Sequence, residues 1–210
     1  MRTRIGIAAI VAATGFATIG TSFAEAAAPA SRVQADDPMA VVAIRALADL
    51  TTYSLSGDAM ALTTYLGERN EIATELATRL EIEPLRMIMA WQQADIAHQT
   101  ALLAAFTQLG VPYHRNSSKP GEGFDCSGLT TYAWGVAGAT LTRQSGAQIR
   151  NAASRTQATA MAGDLVYYPG HVMLWLGVDN AIVHAPYTGR NVEVDTLNKH
   201  RNARYGNPIG

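Results

Sequence analysis

The chain has 210 residues, 48% of them hydrophobic, with 16 Lys and Arg against 17 Asp and Glu. That composition supports a packed core and excludes a disordered chain, and the near-neutral charge without a dense basic tract excludes a nucleic-acid binder. The balance is uneven along the sequence: residues 25–96 carry 11 acidic against 5 basic side chains, and residues 97–210 carry 6 against 9, so the two segments are suited to dock on each other.

Residues 1–24 have the composition of a secretory signal. Arg2 and Arg4 precede an apolar run from Ile5 to Phe23, and Ser22, Phe23 and Ala24 supply small residues for cleavage near Ala24. Once this segment is removed no stable membrane span is expected, because no other apolar run is long enough. The Ala-, Pro- and Ser-rich residues 25–36 are expected to form a flexible linker.

Residues 37–96 are expected to form a helical segment. Asp36 and Asp37 before Pro38 predict an N-cap and first turn, with a helix running to about Tyr53. Asp58 caps a second helix to Leu80, with Glu68, Arg69, Glu71 and Glu75 mostly outward. Pro84 forces a boundary, and a third helix is predicted over Leu85 to Leu109, stopped by Gly110. Met39, Val42, Ala43, Ala46, Leu47 and Leu50 make an apolar face on the first helix; Leu85, Ile88 and Trp91 make one on the third. The segment is expected either to dock on the rest of the chain and shape access to its cleft, or to serve as a spacer or partner-binding arm.

After Gly110 the pattern changes. Glycines and prolines cluster up to residue 128, and a helical patch covers about Ser127 to Ala137. Short β-rich runs follow at Asp164–Tyr168, His171–Gly177, Ala181–Ala185 and Asn191–Leu197. Helices followed by an antiparallel meander predict an α+β fold over residues 97–210.

Cys126 is the single cysteine. In an exported protein it has no intrachain disulfide partner, so it is either a small buried hydrophobe or a used thiol. A glycine-rich loop places it at a helix start, where unpaired N–H groups and the helix dipole favour a thiolate and can donate to an oxyanion. His171 and His184 lie on adjacent runs of the meander. If Val178 and Asp179 form the hairpin turn, paired positions sum to 357, Met173 faces His184, and His171 projects from the same face as a diagonal neighbour. One imidazole can then orient the other beside the thiol. His98 is expected on the surface of the third helix, His114 in the loop near the cleft, and His200 in a solvated basic tail. Zinc is a weaker reading of Cys126, His171 and His184, because no close-spaced ligand pair exists.

Gly110–Val111–Pro112–Tyr113, Phe124–Asp125–Cys126–Ser127–Gly128–Leu129, Gly163–Asp164–Leu165, His171–Val172 with Gly177, and Val183–His184–Ala185–Pro186 together resemble the NlpC family of papain-like cell-wall cysteine peptidases. The resemblance covers residues 98–210. It implies Cys126 as nucleophile, His171 as general base and His184 as the residue orienting that base, with no metal or organic cofactor. It places Tyr113 beside the active site and gives Asp125 and Ser127 substrate contacts, though both are equally suited to capping the helix start. Arg143 matches an arginine in the loop after the catalytic helix, and Asp164 is expected to shape the turn into a strand.

The implied function is an exported peptidase cutting peptidoglycan stem peptides at the bond between D-γ-glutamyl and a diamino acid. The alternatives are a Cys–His amidase or acyltransferase, and a non-enzymatic cell-wall-binding protein. Two departures bear on substrate preference. His114–Arg115–Asn116–Ser117–Ser118 stands where the family has a Trp–Gly–Gly-like stretch, and Met173–Leu174–Trp175 where it has Gly–Ile–Tyr.

Overall fold

The computed structural model describes residues 37–197 and 202–210; the signal, the linker and His200 lie outside them. The fold is α+β, with helices preceding an antiparallel sheet. No helix among the described residues is long and apolar enough to cross a membrane.

Helix α1 spans Pro38–Ser56. Asp37 caps it by accepting from the Met39 N–H at 2.9 Å, Pro38 sits in its first turn, and Gly57 ends it in the left-handed region. Helix α2, Ala59–Arg79, starts on Asp58. At its far end the Arg79 guanidinium returns to Asp37 at 2.6 Å, tying the end of α2 to the start of α1. Arg69 departs from the expected outward set: it is buried, with its guanidinium over the Tyr65 ring at 5.7 Å and within reach of Gln99.

The long third helix expected from the sequence is two helices, α3 (Pro84–Gln93) and α4 (Ile96–Phe106). Ala94 is extended, and Asp95 then caps α4 by accepting from the His98 N–H at 2.9 Å. An aspartate inside a continuous helix has no such role, and its preference for the cap sets the break. On α3 the buried residues are Met87 and Trp91, while Leu85 is exposed.

Strands β1 (Ser118–Lys119) and β2 (Gly123–Phe124) form a small hairpin ahead of helix α5 (Cys126–Val136) and helix α6 (Ser145–Asn151). The main sheet contains β3 (Ala153–Arg155), β4 (Leu165–Tyr168), β5 (His171–Trp175), β6 (Ala181–His184), β7 (Glu193–Thr196) and β8 (Arg204–Asn207), in the order β3-β8-β4-β5-β6-β7. Leu174 pairs with Val183 and Trp175 with Ile182, the register expected from the sequence.

Alternation on the central strands divides the core. Val172, Leu174, Ala181 and Val183 share one buried cluster with α1–α5, while Val166, Met173, Trp175 and Ile182 join Tyr205 and Leu197 in a second cluster. The contacts of α3 with the sheet fall at the β5–β6 turn, the opposite end of β5 from His171. There Trp91 Nε1 donates to the Leu176 carbonyl at 2.9 Å, and Arg86 pairs with Asp179 at 2.8 Å. Trp91 also stacks on Phe106 of α4 at 5.2 Å between ring centroids.

Helix α3 thus braces the sheet at the end away from His171, with α1, α2 and α4 completing the same core cluster. Starting the chain at Ala97 is therefore expected to strip a core wall: the thermal midpoint should fall by about 10 °C or more, or the protein should become insoluble. An unchanged midpoint in a scanning calorimeter would show that α1–α3 are dispensable to the fold.

Candidate active site

Cys126 is the first residue of α5. Asp125 caps that helix, its Oδ1 accepting from the Gly128 N–H at 2.7 Å. The first turn lies so close to the preceding loop that a Cβ on residue 128 would stand 1.9 Å from the Ser117 carbonyl oxygen, which explains the glycine there. The other Asp125 oxygen accepts from the Asn116 N–H at 2.8 Å and from Arg143 at 2.7 Å. Arg143 also donates to Ser127 Oγ at 2.8 Å and to the Ser117 carbonyl at 3.1 Å. Asp125, Ser127 and Arg143 thus satisfy one another and pin the loop to the helix that presents the thiol.

The Cys126 side chain is half-buried. Burial pushes its thiol above the ordinary value. Hydrogen bonds from the backbone of Val172 and Ser127 act in the opposite direction without overcoming it. The expectation that the helix start alone would favour the thiolate is therefore corrected: desolvation prevails, and the thiol needs a base to ionise. Helix α5, which starts at Cys126, packs against β5, the strand that starts at His171.

His171 Nε2 and His184 Nδ1 are 2.8 Å apart, with the rings at 78° to each other. The sequence placed the two imidazoles as diagonal neighbours on one face, and they are in direct contact. Tyr168, the register partner of His171 across the β4–β5 hairpin, lies against the His171 ring at 5.3 Å. Sequence reasoning missed Tyr168, although the Pro169–Gly170 turn between Tyr168 and His171 is a hairpin signal that pairs them. His184 is buried. Burial first, and then the charge of Arg190, push it down to about 4, so it is neutral across the physiological range.

Tyr113 reaches the site from the loop before β1, held by a bridge to Phe124 and by its N–H donating to the Arg190 carbonyl at 2.8 Å. Burial, with the charges of Cys126 and Asp125, raises its phenol, which keeps its proton as a donor near the sulfur. A cleft of about 270 Å³ opens beside His171 and His184, walled by Tyr168, Tyr187, Arg190 and Glu193.

Gln148 of α6 is a second residue that sequence reasoning missed. It is buried, accepts from Thr130 at 2.7 Å, and donates to the Ser127 and Thr142 carbonyls at 3.1 and 2.9 Å. It locks the first turn of α5 to the loop carrying Arg143. His114 is exposed, its ring packed over the Gly123 backbone. His98 is fully buried rather than on a surface. It bonds Asp95 at 2.8 Å through Nδ1 and Asp164 at 3.2 Å through Nε2. Asp164 also accepts from the Met161 N–H at 2.9 Å, so it both shapes the turn into β4 and anchors α4.

Residues 110–205 match the family model of the NlpC/P60 family. The chain is 35% identical over 98 residues to the gamma-D-glutamyl-L-lysine dipeptidyl-peptidase of Bacillus cereus, a match covering 43% of this chain and 29% of that protein. It is 35% identical over 108 residues to the peptidoglycan endopeptidase RipA of Mycolicibacterium smegmatis, covering 43% and 21% respectively. The chain thus spans less than a third of the length of either relative. Among solved structures, the P60 domain of the M. avium subspecies paratuberculosis antigen MAP1204 superposes with a TM-score of 0.48 at 28% identity, over 54% of this chain and 96% of that domain.

Proposed function

The chain carries a domain of the NlpC/P60 family over residues 110–205, and from that premise we propose that it is an exported cysteine peptidase that hydrolyses peptidoglycan stem peptides, at the bond between D-γ-glutamyl and a diamino acid. The observation that supports the reading is the His171 Nε2–His184 Nδ1 contact at 2.8 Å, at the start of a strand that packs against the helix whose first residue is Cys126.

In the proposed reaction the Cys126 sulfur attacks the carbonyl carbon of the scissile amide. With Nε2 of His171 engaged by His184, the thiol proton passes to His171 Nδ1. His171 Nε2–H then donates to His184 Nδ1, which fixes the tautomer and steadies the imidazolium that forms. The amides at the start of α5 and the Tyr113 hydroxyl serve the developing oxyanion. His171 returns its proton to the leaving amine, and water, deprotonated by the same nitrogen, hydrolyses the thioester. Asp125, Ser127 and Arg143 hold the nucleophile's loop, with Arg143 the most exposed of the three toward substrate. The cell wall is the site of action that this chemistry implies.

Digestion of purified peptidoglycan followed by mass identification of the fragments tests the reading. Fragments ending in free D-glutamate, paired with fragments bearing a new diamino-acid amine, support it. Release of intact stem peptides from the sugar would make the protein an amidase, and absence of any product would leave wall binding.

The two histidines are expected to differ in severity. His171→Ala should lower kcat by about 10²- to 10⁴-fold, the range of a lost general base. His184→Ala should cost less, and His184→Gln less again, because its amide oxygen accepts the same bond. Equal rates for wild type and His171→Ala would remove the base from the mechanism.

A further inference from the structure

Beyond the His171–His184 pair, the outer ring nitrogen of His184 is unused. His184 is 8% exposed, and its Nε2 is buried without a hydrogen-bond partner. It points at two carboxylates on β7, with Glu193 Oε1 at 3.7 Å and Asp195 Oδ2 at 3.9 Å, both beyond hydrogen-bond reach. The three ligand atoms lie within 4.8 Å of one another. The sheet builds this convergence: His184 and Glu193 are direct partners across β6 and β7, and Asp195, paired with Ile182, is two residues along β7 on the same face.

We propose that His184, Glu193 and Asp195 form a binding site for a divalent transition-metal ion of the zinc class, and that the ion there switches the neighbouring histidine pair off. An imidazole with two carboxylates is a donor set for zinc and its first-row neighbours. Zinc bonds of about 2.0–2.2 Å put ligand atoms roughly 3.4 Å apart, so small rotations of the two carboxylates close the shell. The remaining Asp195 oxygen is already fixed by the Thr196 N–H at 2.7 Å, which leaves Oδ2 for the ion. With His184 Nδ1 accepting from His171, the ring proton of His184 sits on Nε2, so the ion takes that nitrogen by shifting the proton to Nδ1. The Asp195 side chain is 52% exposed and gives a route in from solvent. Arg190 competes with the ion: its guanidinium holds both Glu193 oxygens, but at an exposed position where such pairs are weak.

The consequence for the pair follows from proton positions. An ion on Nε2 of a neutral imidazole forces the ring proton onto Nδ1, so His184 donates to His171 Nε2 instead of accepting from it. His171 then carries its own proton on Nδ1, the nitrogen that has to receive the thiol proton. The inhibitory effect rests on the peptidase reading; the binding of the ion does not.

The test is titration calorimetry of the full chain with zinc chloride, with wall digestion as a parallel arm. The site predicts one zinc per chain, binding retained in Cys126→Ala, affinity weakened about tenfold or more in Asp195→Asn, and tightened in Arg190→Gln once Glu193 is released. Cobalt in place of zinc should give a spectrum without a thiolate charge-transfer band. In digestion, zinc should inhibit wild type and inhibit Asp195→Asn only at correspondingly higher concentration. Binding lost in Cys126→Ala, or unchanged in Asp195→Asn, overturns the site, as does no heat of binding up to millimolar zinc. If the wild-type protein cuts no wall at all while zinc still binds as described, the peptidase reading fails and the site stands.

Discussion

Cys126→Ala is expected to abolish peptidoglycan hydrolysis and leave the fold intact. The side chain is small, half-buried and at the first position of α5, where alanine is accommodated without a cavity of consequence. What alanine removes is the only thiol in the chain. Cys126→Ser keeps the shape but presents a hydroxyl that a histidine alone ionises far less readily, and it should be nearly as inactive. Because burial raises the thiol, the thiolate fraction at pH 7 without a base lies below the roughly 3% of an ordinary cysteine. Alkylation of Cys126 by iodoacetamide near neutral pH should therefore be fast in wild type and slow in His171→Ala, with the rate recovering only as pH rises past the raised thiol value. Full hydrolysis by Cys126→Ala, or alkylation indifferent to His171, would end the nucleophile assignment.

The placement of the candidate site residues was legible because the signals for it are local. Phe124 to Leu129 encodes loop, cap, thiol and helix start in consecutive residues, and the His171–His184 relation needs only one hairpin register, which the glycine and aspartate of the turn define. The helix break at Ala94–Asp95 was harder to see. Every residue from Leu85 to Leu109 tolerates a helix, and Asp95 reveals itself as a cap only through the bonds it makes to His98. Strands β3 and β8 were missed for a different reason: Ala153–Arg155 and Arg204–Asn207 carry few β-branched residues, and their pairing spans some fifty positions. The tool-like regularity of amphipathic helices also misled on Arg69, whose charge is accommodated inside by the Tyr65 face and Gln99 rather than by solvent.

His98 shows what periodicity cannot supply. A histidine three positions after an aspartate on a predicted helix reads as surface, yet this one is fully buried between Asp95 and Asp164, with its ring edge-on to Trp134 at 4.9 Å. Gly163, at φ +101°, passes so close that a Cβ there would be 3.0 Å from His98, so the turn before β4 closes directly onto the ring. The Gly163–Asp164 pair that resembles the family's motif therefore joins α4 to the sheet, ahead of any role in the cleft.

Asp164→Ala is accordingly expected to cost about 3–5 kcal/mol, the range for removing one partner of a buried ionic pair. It leaves the fully buried His98 Nε2 and the half-buried Met161 N–H without their acceptor. Against a total stability of about 5–15 kcal/mol, that loss brings the domain close to unfolding. Burial opposes the charge on His98, but its bonds to Asp164 and Asp95 outweigh burial and hold its pKa above the ordinary 6.5. The stability from that raised pKa is fully present below 6.5 and is lost as pH rises through the folded value. Asp95 works at the other end. Burial alone would raise it, yet the bonds from His98 prevail and keep it below 3.8, so its contribution is present above 3.8 and lost as pH falls through the folded value. His184, pushed down to about 4, loses stability in the opposite sense as pH falls below 6.5, so the His98 contribution is read as the stability difference between wild type and Asp164→Asn in urea, which should be larger near pH 5.5 than near pH 8.5. Asp164→Asn keeps an acceptor for His98 and should lose less than Asp164→Ala. An unfolding free energy for Asp164→Ala within 1 kcal/mol of wild type, or a difference between wild type and Asp164→Asn that grows from pH 5.5 to 8.5, would show that the His98 cluster does not hold α4 to the sheet.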